Sequence, residues 1–351
     1  MVTMLQAKAR PLATILETRR GADALVLRTG IGQLKVEPFA PNILRIALTQ
    51  AETFRDPAWF GFSPAKKPVD WTVEEGADSL VVKTGTIALA IDRRTGSFTF
   101  RDAKGQVLLR EPPRGGKTLE KFDSCRTVFD DREPEKVKTP DGWKDVVQNE
   151  RKVFRKNLYH TRMDWVWADD EALYGVGQQE NGVLNLRGTR QHVHQANMKI
   201  AVPFLVSTKG WGLLVDTASP LIFNDNEHGS YIYTEAAEEL AYYFIQGEQL
   251  DTVIAGYRQL TGRASLLPRW CFGYMQSQER YETQEEVLEI VQEHRKRDLP
   301  LDSIVLDWQT WTGEQWGQKS FDPGRFPEPR AMTDQLHGLG ARLLISIWPN
   351  M

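Results

Sequence analysis

Between residues 24 and 109, apolar and polar positions alternate in short runs: 24–29, 33–37, 43–48, 79–84, 87–92 and 97–101. Period-two alternation puts successive side chains on opposite faces, so each run predicts an antiparallel strand with one wetted face. Gly96, closing Arg93-Arg-Thr-Gly, and Gly105, closing Asp102-Ala-Lys-Gly, stand where hairpins need positive φ. The rhythm breaks over 110–160, where Pro112-Pro113, Gly115-Gly116, Pro134 and Pro140-Asp-Gly142 interrupt a dense mix of charges. That stretch predicts a long charged loop at about 110–160 or a locally folded insertion. Strand patterns resume at 173–176, 200–206, 212–216, 231–233 and 240–245. Residues 1–246 are thus expected to form a β-sandwich domain.

After residue 246 the period lengthens to nearly four. Val253, Ile254, Tyr257 and Leu260 make one helical stripe that closes at Gly262, so 247–268 is expected to be a helical linker. A short apolar strand at 271–276 follows. Thr283-Gln-Glu-Glu286 is a capping box opening a helix with Val287, Ile290 and Val291 on one face, ended by Leu299-Pro300. A strand at 303–311, a helix with Met332, Gln335, Leu336 and Leu339, and a strand at 342–348 complete the pattern. Apolar strands alternating with amphipathic helices indicate a parallel sheet. A full (β/α)8 barrel takes roughly 250 residues. Residues 269–351 are therefore expected to be the first three β/α units of an incomplete (β/α)8 TIM barrel, and the chain an N-terminal fragment. A small three-stranded α/β module is the alternative.

Composition narrows the function. With 351 residues, 41% hydrophobic and 26% charged, the chain can bury one core or two. A net charge of −3 gives no global field toward nucleic acid or an anionic membrane, so a neutral ligand is expected. The first residues lack the apolar core of a secretion signal, and no run approaches a membrane span, which suggests a cytoplasmic address. Cys125 and Cys271 are expected to be reduced thiols. His192 and His194 alternate on one strand face without a third ligand, so neither a metal nor any cofactor is expected.

Candidate chemistry gathers at the C-terminal ends of the predicted parallel strands, where an α/β barrel keeps its active site. Ser303-Ile-Val-Leu-Asp-Trp-Gln-Thr-Trp311 delivers a carboxylate, Asp307, between indoles. Trp308, Trp316 and Trp348 are expected near the same face. Indole faces suit the C–H faces of a pyranose ring, and core packing is the competing role for each. Gln276, at the tip of the first strand, either bonds substrate or serves the scaffold. For Asp307 the structural alternative is a local turn cap.

Four stretches together resemble glycoside hydrolase family 31. They are Leu173-Tyr-Gly-Val-Gly-Gln-Gln-Glu180 with Leu184-Asn-Leu-Arg-Gly188; Val202-Pro-Phe-Leu-Val-Ser207 with Gly210-Trp-Gly-Leu-Leu-Val-Asp216; Tyr242-Tyr-Phe-Ile-Gln-Gly247 through Pro268-Arg-Trp270; and Asp307 to Trp311 with Phe321-Asp-Pro323 and Arg325-Phe-Pro-Glu-Pro329. The resemblance implies a galactose-mutarotase-like β-sandwich before the barrel. It also implies retaining hydrolysis of O-glycosyl bonds in α-glucosides or α-xylosides, with an α-linked oligosaccharide or glycoside as substrate. By position Asp307 resembles the family's second-strand aspartate, which accepts hydrogen bonds from sugar hydroxyls. The family's nucleophile stands on the fourth barrel strand and its acid/base on the sixth, so no catalytic residue is expected within this chain, which alone is expected to be inactive. A non-catalytic carbohydrate-binding β-sandwich protein is one alternative function, and an aldose mutarotase is another.

Overall fold

The computed structural model describes residues 11–55, 68–129, 135–139, 142–146, 150–313, 315 and 318–347. The chain divides into two compact units, one ending at Arg263 and one beginning at Ala264.

The first unit is a β-sandwich. Its largest sheet runs, in spatial order, Ile15–Arg20, Leu25–Thr29, Gly32–Ala40, Ile43–Thr49, Leu240–Gln246, Trp211–Val215, Ile200–Ser207 and Leu173–Gln178. A five-stranded meander, Thr72–Glu75 to Val107–Arg110, and a second five-stranded sheet, Lys117–Val128, Arg151–Asp164, Gly229–Ala237, Leu221–Asn226 and Arg190–Val193, share one core with it. Aromatic rings join the sheets. Phe100 of the meander stacks on Phe244 at 4.0 Å, and Trp167 stacks between Trp211 at 5.7 Å and Phe223 at 6.4 Å.

The central strands Ile43–Thr49, Trp211–Val215 and Leu240–Gln246 are buried at every position. Both faces are covered, which is why these runs read as nearly continuous apolar sequence rather than strict alternation. The core rings cover one face. On the other, the helix Leu250–Thr261 packs Val253 and Leu260 against Phe204, Leu214, Tyr243 and Ile245. Burying those two side chains contributes about 1.5–3 kcal/mol each. The helix expected as a linker is thereby part of the first unit: its apolar stripe is spent on the sheet. Arg45 is buried on this sheet, with Nη2 3.3 Å from Asp216 and 2.9 Å from Glu239, so its charge is matched where water is excluded.

The region at about 110–160, expected as a long charged loop or a locally folded insertion, is mostly strand among the described residues rather than loop. Lys117–Val128 pairs with Arg151–Asp164 along its length, and Glu135–Thr139 forms a hairpin with Gly142–Val146. Residues 151–157 are exposed on both faces, so neither face needs apolar side chains and no period-two signal is written into the sequence. At the base of the ribbon, Lys117 Nζ bonds Glu111 at 2.5 and 2.6 Å and lies 3.4 Å from the Phe98 ring centre.

The second unit contains a three-stranded parallel sheet, Met275–Gln276, Ser303–Leu306 and Arg342–Ile345, in that spatial order. The expected strand at 271–276 is shorter, because Arg269–Phe272 winds as a 3-10 turn before the chain joins the sheet. Thr283 caps the helix Gln284–Lys296 by accepting from Glu286 N at 3.3 Å, while Glu286 reaches back one residue further, to Glu282 N at 2.7 Å. The helix Pro329–Gly338 starts on proline, which loses no needed N–H there. Val287, Val291, Ile304, Leu306, Met332 and Leu336 fill the core between helices and sheet.

Candidate active site

Ser303–Leu306 is the middle strand of the parallel sheet, hydrogen-bonded on both sides, with Ser303, Ile304 and Leu306 buried. The chain leaves the sheet at Asp307, so the carboxylate stands at the C-terminal end of the most constrained strand of this unit. Asp307 is half-buried. Its Oδ1 accepts from Trp308 N at 2.8 Å, the contact of a local turn cap, while Oδ2 has no hydrogen-bond partner among the described residues. One oxygen is thus fixed by its own loop and the other is available as an acceptor.

Trp308 is half-buried beside it, and the Arg280 guanidinium lies 5.6 Å from its ring centre. A cation over an indole face stabilises by roughly 0.5–1 kcal/mol at an exposed site and fixes the ring's orientation. Arg280 is itself 3.6 Å from Glu282. Trp311 is only 2% exposed, so of these two indoles it is the one that packs inward.

Gln276 does not project freely. Its Oε1 accepts from Tyr274 Oη at 2.6 Å and its Nε2 donates to Tyr281 Oη at 3.4 Å, so both ends of the amide are engaged within the scaffold. Burial pushes the Tyr281 hydroxyl pKa upward, keeping it a neutral partner. Trp316 and Trp348 lie outside the described residues. Of the five expected site residues the structure therefore brings Asp307 and Trp308 together and ties Gln276 into the tyrosine pair.

Residues without an assigned role in the sequence surround the same loop. Asp322 N donates to Thr310 O at 2.7 Å, and Arg325 Nη2 donates to Gln309 O and Trp311 O, each at 2.8 Å. Asp322 Oδ1 accepts from Gly324 N at 2.8 Å and Arg325 N at 3.2 Å. Desolvation works to raise this carboxyl, and the backbone donors, the Thr312 side chain and the Arg325 charge together outweigh it, holding its pKa below the ordinary aspartate value. The signal for this cluster was present in Phe321-Asp-Pro323 and Arg325-Phe-Pro, whose prolines and charges mark an ordered turn rather than a solvated loop.

The chain thus joins a β-sandwich to parallel β/α units, with an aspartate and an indole at a strand's C-terminal tip. The model of the glycosyl hydrolase 31 N-terminal galactose mutarotase-like domain matches residues 33–224, and that of the glycosyl hydrolases family 31 TIM-barrel domain matches residues 264–351. The chain belongs to glycoside hydrolase family 31. An α-xylosidase of Saccharolobus solfataricus is 40% identical over 202 residues, covering 55% of this chain and 28% of that protein. An uncharacterized family 31 glucosidase of Pseudescherichia vulneris is 28% identical over 333 residues, covering 94% of this chain and 60% of that protein. A family 31 α-xylosidase from a soil metagenome, solved with xylose, superposes with a TM-score of 0.75 at 27% identity, covering 95% of this chain and 47% of that one. The chain thus spans less than two thirds of each of these relatives.

Proposed function

We propose that this chain forms the sandwich and the first part of the barrel of a retaining α-glycosidase acting on α-xylosides or α-glucosides, with Asp307 and Trp308 holding the sugar. Asp307 carries the proposal: it stands at a barrel strand's C-terminal tip with one carboxylate oxygen fixed and the other available. A charged acceptor aimed at hydroxyls orients the ring, and it discriminates strongly because a sugar lacking the hydroxyl leaves the acceptor unpaired. Trp308 supplies an apolar face to the ring. Family membership and the two relatives named α-xylosidase favour a xyloside as the first substrate to try.

Retaining hydrolysis uses two carboxyl groups roughly 5 Å apart, one as nucleophile and one as acid and then base. The family resemblance implies that both stand on later barrel strands, and Asp307 is accordingly proposed to bind rather than attack. The test takes the protein carrying this chain with p-nitrophenyl α-xyloside and α-glucoside and follows the first-formed sugar anomer by proton NMR. The α-anomer appearing first supports retention, and the β-anomer first would refute it. Asp307→Asn, which removes the charge and keeps the shape, is expected to lower kcat/KM by about 100-fold or more. An unchanged kcat/KM would remove Asp307 from the site.

A further inference from the structure

The loop that carries Trp308 is tied both within itself and from the later segment around Asp322 and Arg325. Within it, Trp308 N donates to Asp307 Oδ1 at 2.8 Å and Gln309 Nε2 donates to Gly313 O, while Thr310 O accepts from Asp322 N at 2.7 Å. Three backbone carbonyls converge on a single guanidinium: Gln309 O and Trp311 O, each 2.8 Å from Arg325 Nη2, and Glu282 O, 3.4 Å from Arg325 Nη1. The first two belong to the loop after the middle strand, and the third to the loop after the first strand, which also bears Arg280 over Trp308.

Arg325 is anchored from behind. Its Nε lies 3.7 Å from Asp322 Oδ2, its own N–H bonds Asp322 Oδ1 at 3.2 Å, and its carbonyl accepts from Gln284 N at 3.0 Å, at the start of the helix Gln284–Lys296. Phe326, beside it, is 1% exposed and locks the segment into the core.

We propose that Arg325 is the positioning residue of this active site, a planar clamp that holds the loops after the first and second strands in one arrangement and so fixes where Asp307 and Trp308 present themselves to the sugar. The proposal rests on the role assigned above to Asp307. A guanidinium suits the task because its donors lie in a rigid plane and serve several acceptors at once; an ammonium on a flexible stem cannot reproduce that geometry. Displacing substrate-holding groups by as little as 1 Å can cost about 100-fold in rate.

The test compares wild type, Arg325→Lys and Arg325→Met in the protein carrying this chain. Hydrogen–deuterium exchange reads the clamp itself and needs no activity. Amides of 280–283 and 309–313 are expected to exchange about 10-fold faster in both variants, with those of 303–306 and 329–338 unchanged. Steady-state hydrolysis reads the consequence: KM for the aryl α-glycoside is expected to rise about 10-fold while kcat changes less than about 3-fold. Arg325→Lys keeps the charge beside Asp322, so it preserves folding if the methionine variant does not. Unchanged exchange in the two loops, or faster exchange with an unchanged KM, overturns the proposal. If the wild-type protein hydrolyses no α-glycoside, the proposed function fails instead, and the exchange measurement still decides whether Arg325 clamps the loops.

Discussion

Asp225 accepts from Ser230 Oγ at 2.5 Å, Gly188 N at 3.0 Å and Arg187 Nε at 2.8 Å. Desolvation works to raise its pKa, but those donors outweigh it and the folded value is lowered. In the unfolded chain the pKa is about 3.9, so Asp225 contributes stability that is present above that pH and lost as pH falls through the lower folded value. Asp225→Asn is therefore expected to be less stable than wild type at pH 7, with the gap closing below about pH 4. Urea unfolding midpoints measured from pH 2.5 to 7 check this; a gap constant with pH would contradict it. That Asp307 and Trp308 follow the end of the middle strand was legible in the sequence, because the apolar run 303–306 stops there. The ties of Gln276 to Tyr274 and Tyr281 were not, since they depend on where three separate side chains meet.

Among the elements, the strand Leu173–Gln178 shows how a motif earns its glycines. Its pairing with Ile200–Ser207 shifts register between Gly175 and Gly177, and the buried Val176 between them has φ of 58°. At Gly177 φ is 87° and an added Cβ would fall 2.0 Å from Ile200 O. Gly177→Ala thus meets both backbone strain and a clash against a paired strand, and it is expected to cost about 2–4 kcal/mol. Guanidinium unfolding of the purified variant gives the number; a loss under about 0.5 kcal/mol would mean the bulge relaxes freely. Elements with one buried face were legible: the strand Ile87–Asp92 alternates throughout, and the helix Gln284–Lys296 carries its cap and stripe openly. The outer part of the ribbon, residues 151–157 with the facing residues 123–128, was not, because a strand wetted on both sides has no face to mark. Short edge strands such as Thr72–Glu75 were hidden for the same reason.

For the molecule as a whole, the sandwich depends on rings that belong to different sheets. Phe244 stacks on Phe100 of the meander at 4.0 Å and lies 6.4 Å from Trp211, which continues the row through Trp167 to Phe223 of the second five-stranded sheet. Truncating Phe244 opens a cavity where several layers meet, so Phe244→Ala is expected to cost about 3–5 kcal/mol. A thermal or denaturant scan that found the variant within about 1 kcal/mol of wild type would show that the layers close over the gap. That a strand-rich part gives way to helices and parallel strands was readable from the change of period near residue 246. The assignment of the helix Leu250–Thr261 was not, since its stripe alone does not say which core receives it.

The order of strands in the large sheet also has a consequence in time. Ile43–Thr49, buried at every position, takes Leu240–Gln246 as one of its two neighbours, and Asn42 Nδ2 donates to Gln246 O across a separation of 204 residues. A ribosome adding about 5–20 residues per second needs about 10–40 seconds to cover that distance. Throughout that interval an apolar strand waits on a nascent chain with one edge unpaired, and long-range pairing of this kind is what makes β-rich domains slow to fold and quick to aggregate. A protein assembled this way gains from rapid translation, which shortens the wait, and from chaperones that shield the early strands until their late partner emerges.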